Sequence, residues 1–523
     1  MSEARSKRLG YAQTAALIGV EAKLVTVEVS FTQGLPGISI VGMPDVAVSE
    51  ARLRVRAALR ATGFEVPPLH ILVNLAPSDI PKSGSGFDLP IALGILLATG
   101  QISEEGIKER LCVGELSLDG SVRPVRGMLA YEQLARELDV GMVSAVSEQG
   151  TLSDSPDSHY CLESLSDLRS GNFVAPSPRR KTLGSTSTDY CDLAGNELAK
   201  RALTVAAAGG HALMMIGPPG SGKSMMASRL PTIMAPLTKS ELLEAALIHS
   251  VAGLCYDSIL EGQKPFRAPH HSATRAGLLG GGSPITPGEV TLAHNGILFL
   301  DEIAEFGNAV LQLLRQPIET GIVSLARAKG TTVLPANFML VAASNPCPCG
   351  YFGDPERSCS CSDAEIRRYQ GRIGGPLLDR VDMVLDVWRS KPGEVLATGS
   401  GKSSAEMRSQ VLEAQEYAAW RTKAQEEAPV STASPPAGSL EQSTTLLAGE
   451  GLRLLNACDL GRQQRRCLEE AAERLKLSGR GIMRALSVAR TLADMEHSKQ
   501  VLSEHILEAL TFRAEGRCGH EHS

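Results

Sequence analysis

One octapeptide constrains this chain more than any other feature: Gly217-Pro218-Pro219-Gly220-Ser221-Gly222-Lys223-Ser224. It fits G-x-x-x-x-G-K-[ST], a loop whose backbone N–H groups close on phosphate oxygens at a helix N-terminus. Its flanks agree with that geometry. Ala212-Leu213-Met214-Met215-Ile216 is an apolar run that predicts a buried strand, and Met225 to Leu230 predicts a helix start. In this setting Lys223 reaches the β- and γ-phosphates, and the Ser224 hydroxyl ligates Mg²⁺. The expected fold is α/β around a nucleoside triphosphate site.

Two further apolar runs end in chemistry. Ile297-Leu298-Phe299-Leu300 leads into Asp301-Glu302, as a buried parallel strand delivering carboxylates to its C-terminal edge would. Asp301 is placed to hold Mg²⁺ through water and Glu302 to polarise an attacking water. The alternative is an acidic pair capping a helix. Met339 to Ser344 is a third apolar run, and Asn345 follows it. A polar side chain there would sit between the γ-phosphate and the carboxylates; otherwise it is a strand-end turn.

A length of 523 residues is too great for one core, so two to four domains are expected. The net charge of −6 exerts no overall pull on nucleic acid, which leaves local basic patches to make any such contact. No apolar run reaches membrane-spanning length. Arg5, Lys7 and Arg8 open the chain, but Gln13, Thr14 and Glu21 interrupt the apolar residues beyond them, unlike a secretory leader. Eleven cysteines, an odd number, do not read as a secreted disulfide framework, and the expected compartment is the cytoplasm.

The pattern divides into zones. Residues 1–175 alternate strand and helix signals: Leu24 to Val29, Gly37 to Val41, a helix from Val46 to Leu59, then Ile71 to Leu75. This predicts an α+β or α/β domain with its own core. Residues 176–187 form a polar linker, and 188–390 the ATPase core. Residues 391–515 read as a helical lid, with a polar and partly mobile insertion over about 399–443 that contains Pro429, Pro435, Pro436 and Gly438. Residues 516–523 form a short tail.

Cys347-Pro348-Cys349 and Cys359-Ser360-Cys361 are two C-x-C pairs joined by a turn-rich loop. Four thiolates so spaced suit a tetrahedral structural Zn²⁺; free thiols and a redox-labile disulfide are the other readings. Ile322 to Arg327 and Thr331 to Leu334 predict a β-hairpin with a basic tip, where Arg327 and Lys329 could track phosphates. A solvated hairpin with no ligand is the alternative.

Family-level strings accompany these motifs: Phe266-Arg267-Ala268-Pro269-His270-His271-Ser272, Pro287 to Gly296, Asn345-Pro346-Cys347-Pro348-Cys349-Gly350, and Gly375 to Asp382. On them the chain resembles the ComM (YifB) family of magnesium-chelatase-like AAA+ ATPases over nearly its whole length. The resemblance implies an AAA+ P-loop core with a helical lid, preceded by a Lon-protease-like α+β domain. It implies a ring-forming, hexameric motor that uses ATP and Mg²⁺ to translocate single-stranded or branched DNA, a helicase-like branch-migration activity serving natural transformation or recombination. It also makes Arg380 the arginine finger and Arg480 the sensor-2 arginine of the lid, with Arg484 as runner-up; should Arg380 not be needed for hydrolysis, Arg368 or Arg372 would hold the finger's role.

Gly277 to Ser283, too glycine-rich for a core element, resembles the helix-2 insertion of this clade, and the predicted hairpin would point into the ring's pore. The adjacent His270 and His271 should point apart, which favours a structural or interface role over metal binding. In the N-terminal domain, Pro81-Lys82-Ser83-Gly84-Ser85-Gly86 resembles the nucleophile turn of Lon-type proteases. The serine position falls on Gly86, and the catalytic lysine position on Leu129. Without that dyad, peptidase activity is not expected. From other functional classes, a metal-chelatase motor subunit driving Mg²⁺ insertion into a porphyrin and a chaperone-like remodeller remain as alternatives. The N-terminal domain and the cysteine loop are not expected of the chelatase subunit.

Overall fold

The computed structural model describes residues 9–107, 109–147, 159–170, 173–175, 188–282, 285–327, 330–390, 393, 401–426 and 451–514. The predicted linker, the C-terminal tail and residues 427–450 lie outside the described residues.

The N-terminal domain is built on strands β1 (Gly10–Ile18), β2 (Glu21–Thr32), β3 (Gly37–Val41), β4 (His70–Ala76), β5 (Arg110–Cys112), β6 (Gly141–Ala145) and β7 (His159–Leu162). They form one mixed seven-stranded sheet in the order β3-β4-β2-β1-β5-β6-β7. Alternation sets its register: Val25, Val27 and Val29 of β2 are fully buried at every second position. Helix α1 (Val46–Ala61) starts where the Asp45 carboxylate accepts the Val48 N–H. Helix α2 (Asp88–Thr99) is apolar all round and is buried on every side, as such a helix must be. Helix α3 (Met128–Glu137) covers the other face, where its Met128, Tyr131 and Ala135 pack with Ala15, Leu111 and Met142, while α1 and α2 pack on Val25, Val27 and Val29.

The second domain contains β8 (Leu213–Ile216), β9 (Phe266–Arg267), β10 (Ile297–Leu300), β11 (Ile322–Arg327), β12 (Gly330–Pro335), β13 (Met339–Ser344) and β14 (Met383–Asp386). Five of these form a parallel sheet in the order β9-β10-β13-β8-β14. Ile216 pairs with Ser344 and Leu300 with Ala342. The three chemically loaded strand ends therefore share one edge of the sheet, the place where open parallel sheets bind ligands. Helices α4 (Glu197–Gly209) and α5 (Lys223–Ile233) flank this sheet, whereas α6 (Lys239–Ala252) packs on α3 of the N-terminal domain. The predicted hairpin exists as β11 and β12, paired from Ile322–Pro335 to Arg327–Gly330.

The lid comprises α7 (Ser404–Glu426), α8 (Arg462–Arg474), α9 (Gly479–Met495) and α10 (Ser503–Ala514). Here the expectation that a polar stretch over about 399–443 interrupts the helical pattern is corrected over 404–426, which are helical. Helix α7 packs on α4, α5 and α9. Met407, Val411 and Ala414 lie on one helical face and are buried, Met407 and Val411 within the ATPase core. Its polar composition hid this stripe, although burying the Met and Val side chains contributes about 1.5–3 kcal/mol each. Arg421 of α7 also pairs with the buried Asp494 at 2.9 Å. A second correction concerns the glycine-rich segment. Its Leu278 and Leu279 are buried in the core, and Gly280–Gly281 pairs with Thr286–Pro287.

The two domains meet along α6. The Gly127 N–H donates to the Ser250 carbonyl at 2.8 Å, and the Leu129 N–H to Ser250 Oγ at 3.2 Å. Leu129 is fully buried among Leu237, Ala245, Ala246 and Tyr256 of the second domain. The position that a Lon-type resemblance would give to a catalytic lysine is here an apolar contact across the domain seam.

Candidate nucleotide site

Residues 217–224 connect β8 to α5, so the loop's N–H groups stand at a helix N-terminus. Gly217 is required by space: a Cβ there would lie 2.0 Å from the Val387 carbonyl oxygen. Lys223 is buried, and its ammonium donates to the Gly217 carbonyl at 2.8 Å, the Pro218 carbonyl at 3.0 Å and Ser221 Oγ at 3.3 Å. Burial lowers its pKa to about 8, against the opposing pull of Asp301 and Glu302. A charged lysine held in a desolvated loop is a strong electrostatic partner for phosphate.

Ser224 Oγ donates to Asp301 Oδ2 at 2.6 Å. This contact joins the two motifs, and it places together a hydroxyl and a carboxylate that could hold Mg²⁺ alongside phosphate oxygens and water. Glu302 follows at a left-handed φ of 51°, its N–H donating to Asp301 Oδ1 at 3.0 Å. That backbone costs of order 1–3 kcal/mol in a residue with a Cβ. The turn leaves the Glu302 carboxylate more than half exposed beside His271, whose Nδ1 is 4.0 Å away. The expectation for the two histidines is corrected: their rings lie 4.0 Å apart between centroids rather than pointing apart. Asn345 follows β13 at the same edge, beside Gly350.

The arginines occupy a separate place. Arg380 pairs with Glu319 at 2.6 Å, and Arg480 approaches the same carboxylate oxygen at 3.5 Å. Arg484 instead pairs with Asp382, whose other oxygen accepts the Ala212 N–H at 2.8 Å. Arg484 thus ties lid to sheet, while Arg480 is 61 % exposed and the freer of the two. Arg372 pairs with Glu305 at 3.4 Å. Sequence reading missed Glu319, because a lone carboxylate ahead of a hairpin has no motif around it. It also missed Arg389, whose Nε donates to the Pro219 carbonyl at 3.1 Å. Of the DNA candidates, Lys329 and the Arg327 side chain lie outside the described residues.

Cys347, Cys349, Cys359 and Cys361 present sulfurs all within 4.8 Å of one another. The separations of 3.3, 3.5 and 3.7 Å among Cys347, Cys349 and Cys359 are far from a bonded pair at about 2.05 Å. They approach the roughly 3.8 Å edge of a tetrahedron with Zn–S near 2.3 Å. Burial and neighbouring sulfurs push the Cys359 thiol up to about 12. Cys349, despite burial, is held at about 5 by the backbone N–H groups of Tyr351 and Ser360 and by neighbouring thiols. The donor set fits a thiophilic divalent metal.

The sheet order, the phosphate loop and the Ser224–Asp301 pair define a P-loop protein of the AAA+ type. The family model described as magnesium chelatase, subunit ChlI, matches residues 189–395, and its C-terminal counterpart matches 401–513. A third, described as subunit ChlI of Mg-chelatase, matches 27–145. The uncharacterized protein YifB of Salmonella typhimurium is 38 % identical over 518 residues, covering 97 % of each chain. The competence protein ComM of Haemophilus influenzae is 39 % identical over 515 residues, covering 95 % of this chain and 96 % of that one. A probable DNA helicase, MCM9 of Arabidopsis thaliana, is 26 % identical over 195 residues, or 37 % of this chain and 25 % of that one. The chain belongs to the ComM/YifB family of magnesium-chelatase-like AAA+ proteins. That family implies ATP and Mg²⁺ as cofactors. Among the described residues no helix is long and apolar enough to cross a membrane.

Proposed function

We propose that this protein is an ATP-hydrolysing, ring-forming DNA motor, hexameric and cytoplasmic, that moves single-stranded or branched DNA during uptake or recombination. The observation that carries the ATPase half is the Ser224–Asp301 contact at the C-terminal edge of the parallel sheet. ATP supplies the bond that is broken, with Mg²⁺ held by Ser224 and Asp301 shielding its phosphates. Lys223 draws the β- and γ-phosphates into the loop, and Asn345 orients the attacking water that Glu302 polarises. Arg380 and Arg480 act on the nucleotide of a neighbouring subunit. The DNA half draws support from the names of two relatives, a competence protein and a probable DNA helicase, and from the β11–β12 hairpin, whose tip carries Arg327 and Lys329. The N-terminal domain, with Gly86 and Leu129 where a Lon-type dyad would stand, serves ring assembly or DNA contact. The four cysteines hold a structural Zn²⁺.

The chelatase reading keeps one observation in its favour: the N-terminal region itself matches a model described as subunit ChlI, so that domain does not argue against it. Hydrolysis measured with single-stranded DNA, a four-way junction, a porphyrin with Mg²⁺, or an unfolded protein separates the readings. Stimulation by DNA together with strand exchange at the junction is expected; stimulation by porphyrin alone would overturn the DNA motor.

A further inference from the structure

We infer that the four-cysteine loop is a metal-set strut beneath the phosphate loop, so that nucleotide affinity depends on whether its thiolates hold a zinc-like cation. The inference rests on the zinc reading above and goes beyond it. The loop leaves β13 directly after Asn345, and Gln370 anchors its first carbonyl, at Pro346, with a 3.1 Å hydrogen bond. Its turn residue Gly350 sits at a φ of 85° against Pro219, the third residue of the phosphate loop. The approach is so close that a Cβ on Gly350 would lie 2.7 Å from Pro219 Cδ and 2.9 Å from Cγ.

Pro219 is held from a second direction. The Arg389 guanidinium donates to its carbonyl and lies 5.4 Å from the centre of the Tyr351 ring, the residue after Gly350. Tyr351 in turn accepts from Arg357 at 3.0 Å. Gly350, Tyr351 and Arg389 thus grip the part of the phosphate loop that precedes Lys223.

The loop has little else to order it. Apart from Pro346, Cys347 and Gly350 it is half-buried or exposed, with no apolar core of its own. Backbone N–H groups of Cys349 and Cys361 point at the sulfurs of Cys361 and Cys359, each at 3.4 Å, as groups supporting metal-bound thiolates do. A cation would neutralise four crowded sulfurs and couple its binding energy to the fold of the loop. Without it, the sulfurs lose the bonds that draw them to one centre, and the loop, with that closure gone, opens and releases Gly350 from Pro219.

The test uses the full-length protein, elemental analysis and titration with a fluorescent ATP analogue. Wild type prepared under reducing conditions without chelator is expected to carry about one zinc per chain. Cys359→Ser and Cys361→Ser should lose it and bind the analogue at least about tenfold more weakly, the scale of one lost charged hydrogen bond. Gly350→Ala and Arg389→Ala should keep the zinc yet weaken binding. Chelation of wild type and then zinc re-addition, which needs no mutation, should weaken and then restore affinity. If zinc is present and removable but affinity does not change, the strut is overturned while the zinc site stands. If wild type carries no metal, both fall.

Discussion

In the function proposed above, the ATP site and the arginine patch are two halves of one chemistry, and the chain treats them in opposite ways. Lys223, Ser224, Asp301 and Glu302 come together within one chain, on a rigid sheet edge, with Ser224 and Asp301 in direct contact. Arg380 and Arg480 are brought together too, but onto a carboxylate, Glu319. The first half needs only its own fold. The second holds its cations on an internal anion, a parking place from which a stronger anion, such as a neighbour's triphosphate, would draw them.

The largest break of this contrast comes from Arg380→Ala. Removing a finger that stabilises transition-state charge costs roughly 10³–10⁵ in turnover. If it acts between subunits as proposed, mixing Arg380→Ala with Lys223→Ala protein should recover some hydrolysis at interfaces that combine two intact halves. Normal turnover in the single variant would move the role to Arg372 or Arg368.

Glu302→Gln tests the other half. Turnover should fall about 10²–10⁴-fold, the usual loss for a positioned base, with nucleotide affinity kept. Mixing with Arg380→Ala should not rescue the Glu302→Gln sites themselves. A variant with wild-type hydrolysis would remove Glu302 from the mechanism.

Next in size is a pH effect. Lys223 in the folded protein has its pKa lowered from 10.5 to about 8 by burial, so the isolated protein gains stability as pH rises from about 8 toward 10.5, where the unfolded chain still binds the extra proton. ATP acts in the opposite sense, because its phosphates favour the charged ammonium. Affinity should therefore decline above about pH 8, by up to about tenfold per unit. Calorimetry in buffers of different ionisation enthalpy should register proton uptake there, and none in Lys223→Ala.

The smallest expected effect sharpens the contrast most. Glu319→Gln removes the carboxylate that holds both arginines, at a cost of about 1–3 kcal/mol in thermal stability. ATP hydrolysis by assembled protein should persist or rise, since the arginines lose a competitor. If hydrolysis instead collapses as far as in Arg380→Ala, Glu319 is part of the active geometry.

The phosphate loop was legible because its glycines, lysine and serine are contiguous, and because flanking apolar runs mark the strand and helix around it. The hairpin and the edge carboxylates were legible for the same local reason. Helix α7 was not: Met407, Val411 and Ala414 are three apolar residues in a polar stretch, and only their neighbours in α4 and α9 show that they form a face. The histidine pair escaped local reasoning because ring orientation depends on the loop's path, which places His271 near both Glu302 and Phe306.

By itself the sequence determined that this protein has a triphosphate loop, a pair of strand-end carboxylates and a cluster of four cysteines, since each is written in neighbouring residues whose chemistry depends on spacing. Tertiary structure alone decided what those pieces touch. Gly350 meets Pro219, Leu129 becomes a seam contact, and Glu319 draws in Arg380 and Arg480, each because residues distant in sequence are brought within van der Waals or ionic range by the packing of two sheets and a lid. No local pattern encodes such distances; they come from how the cores fill space.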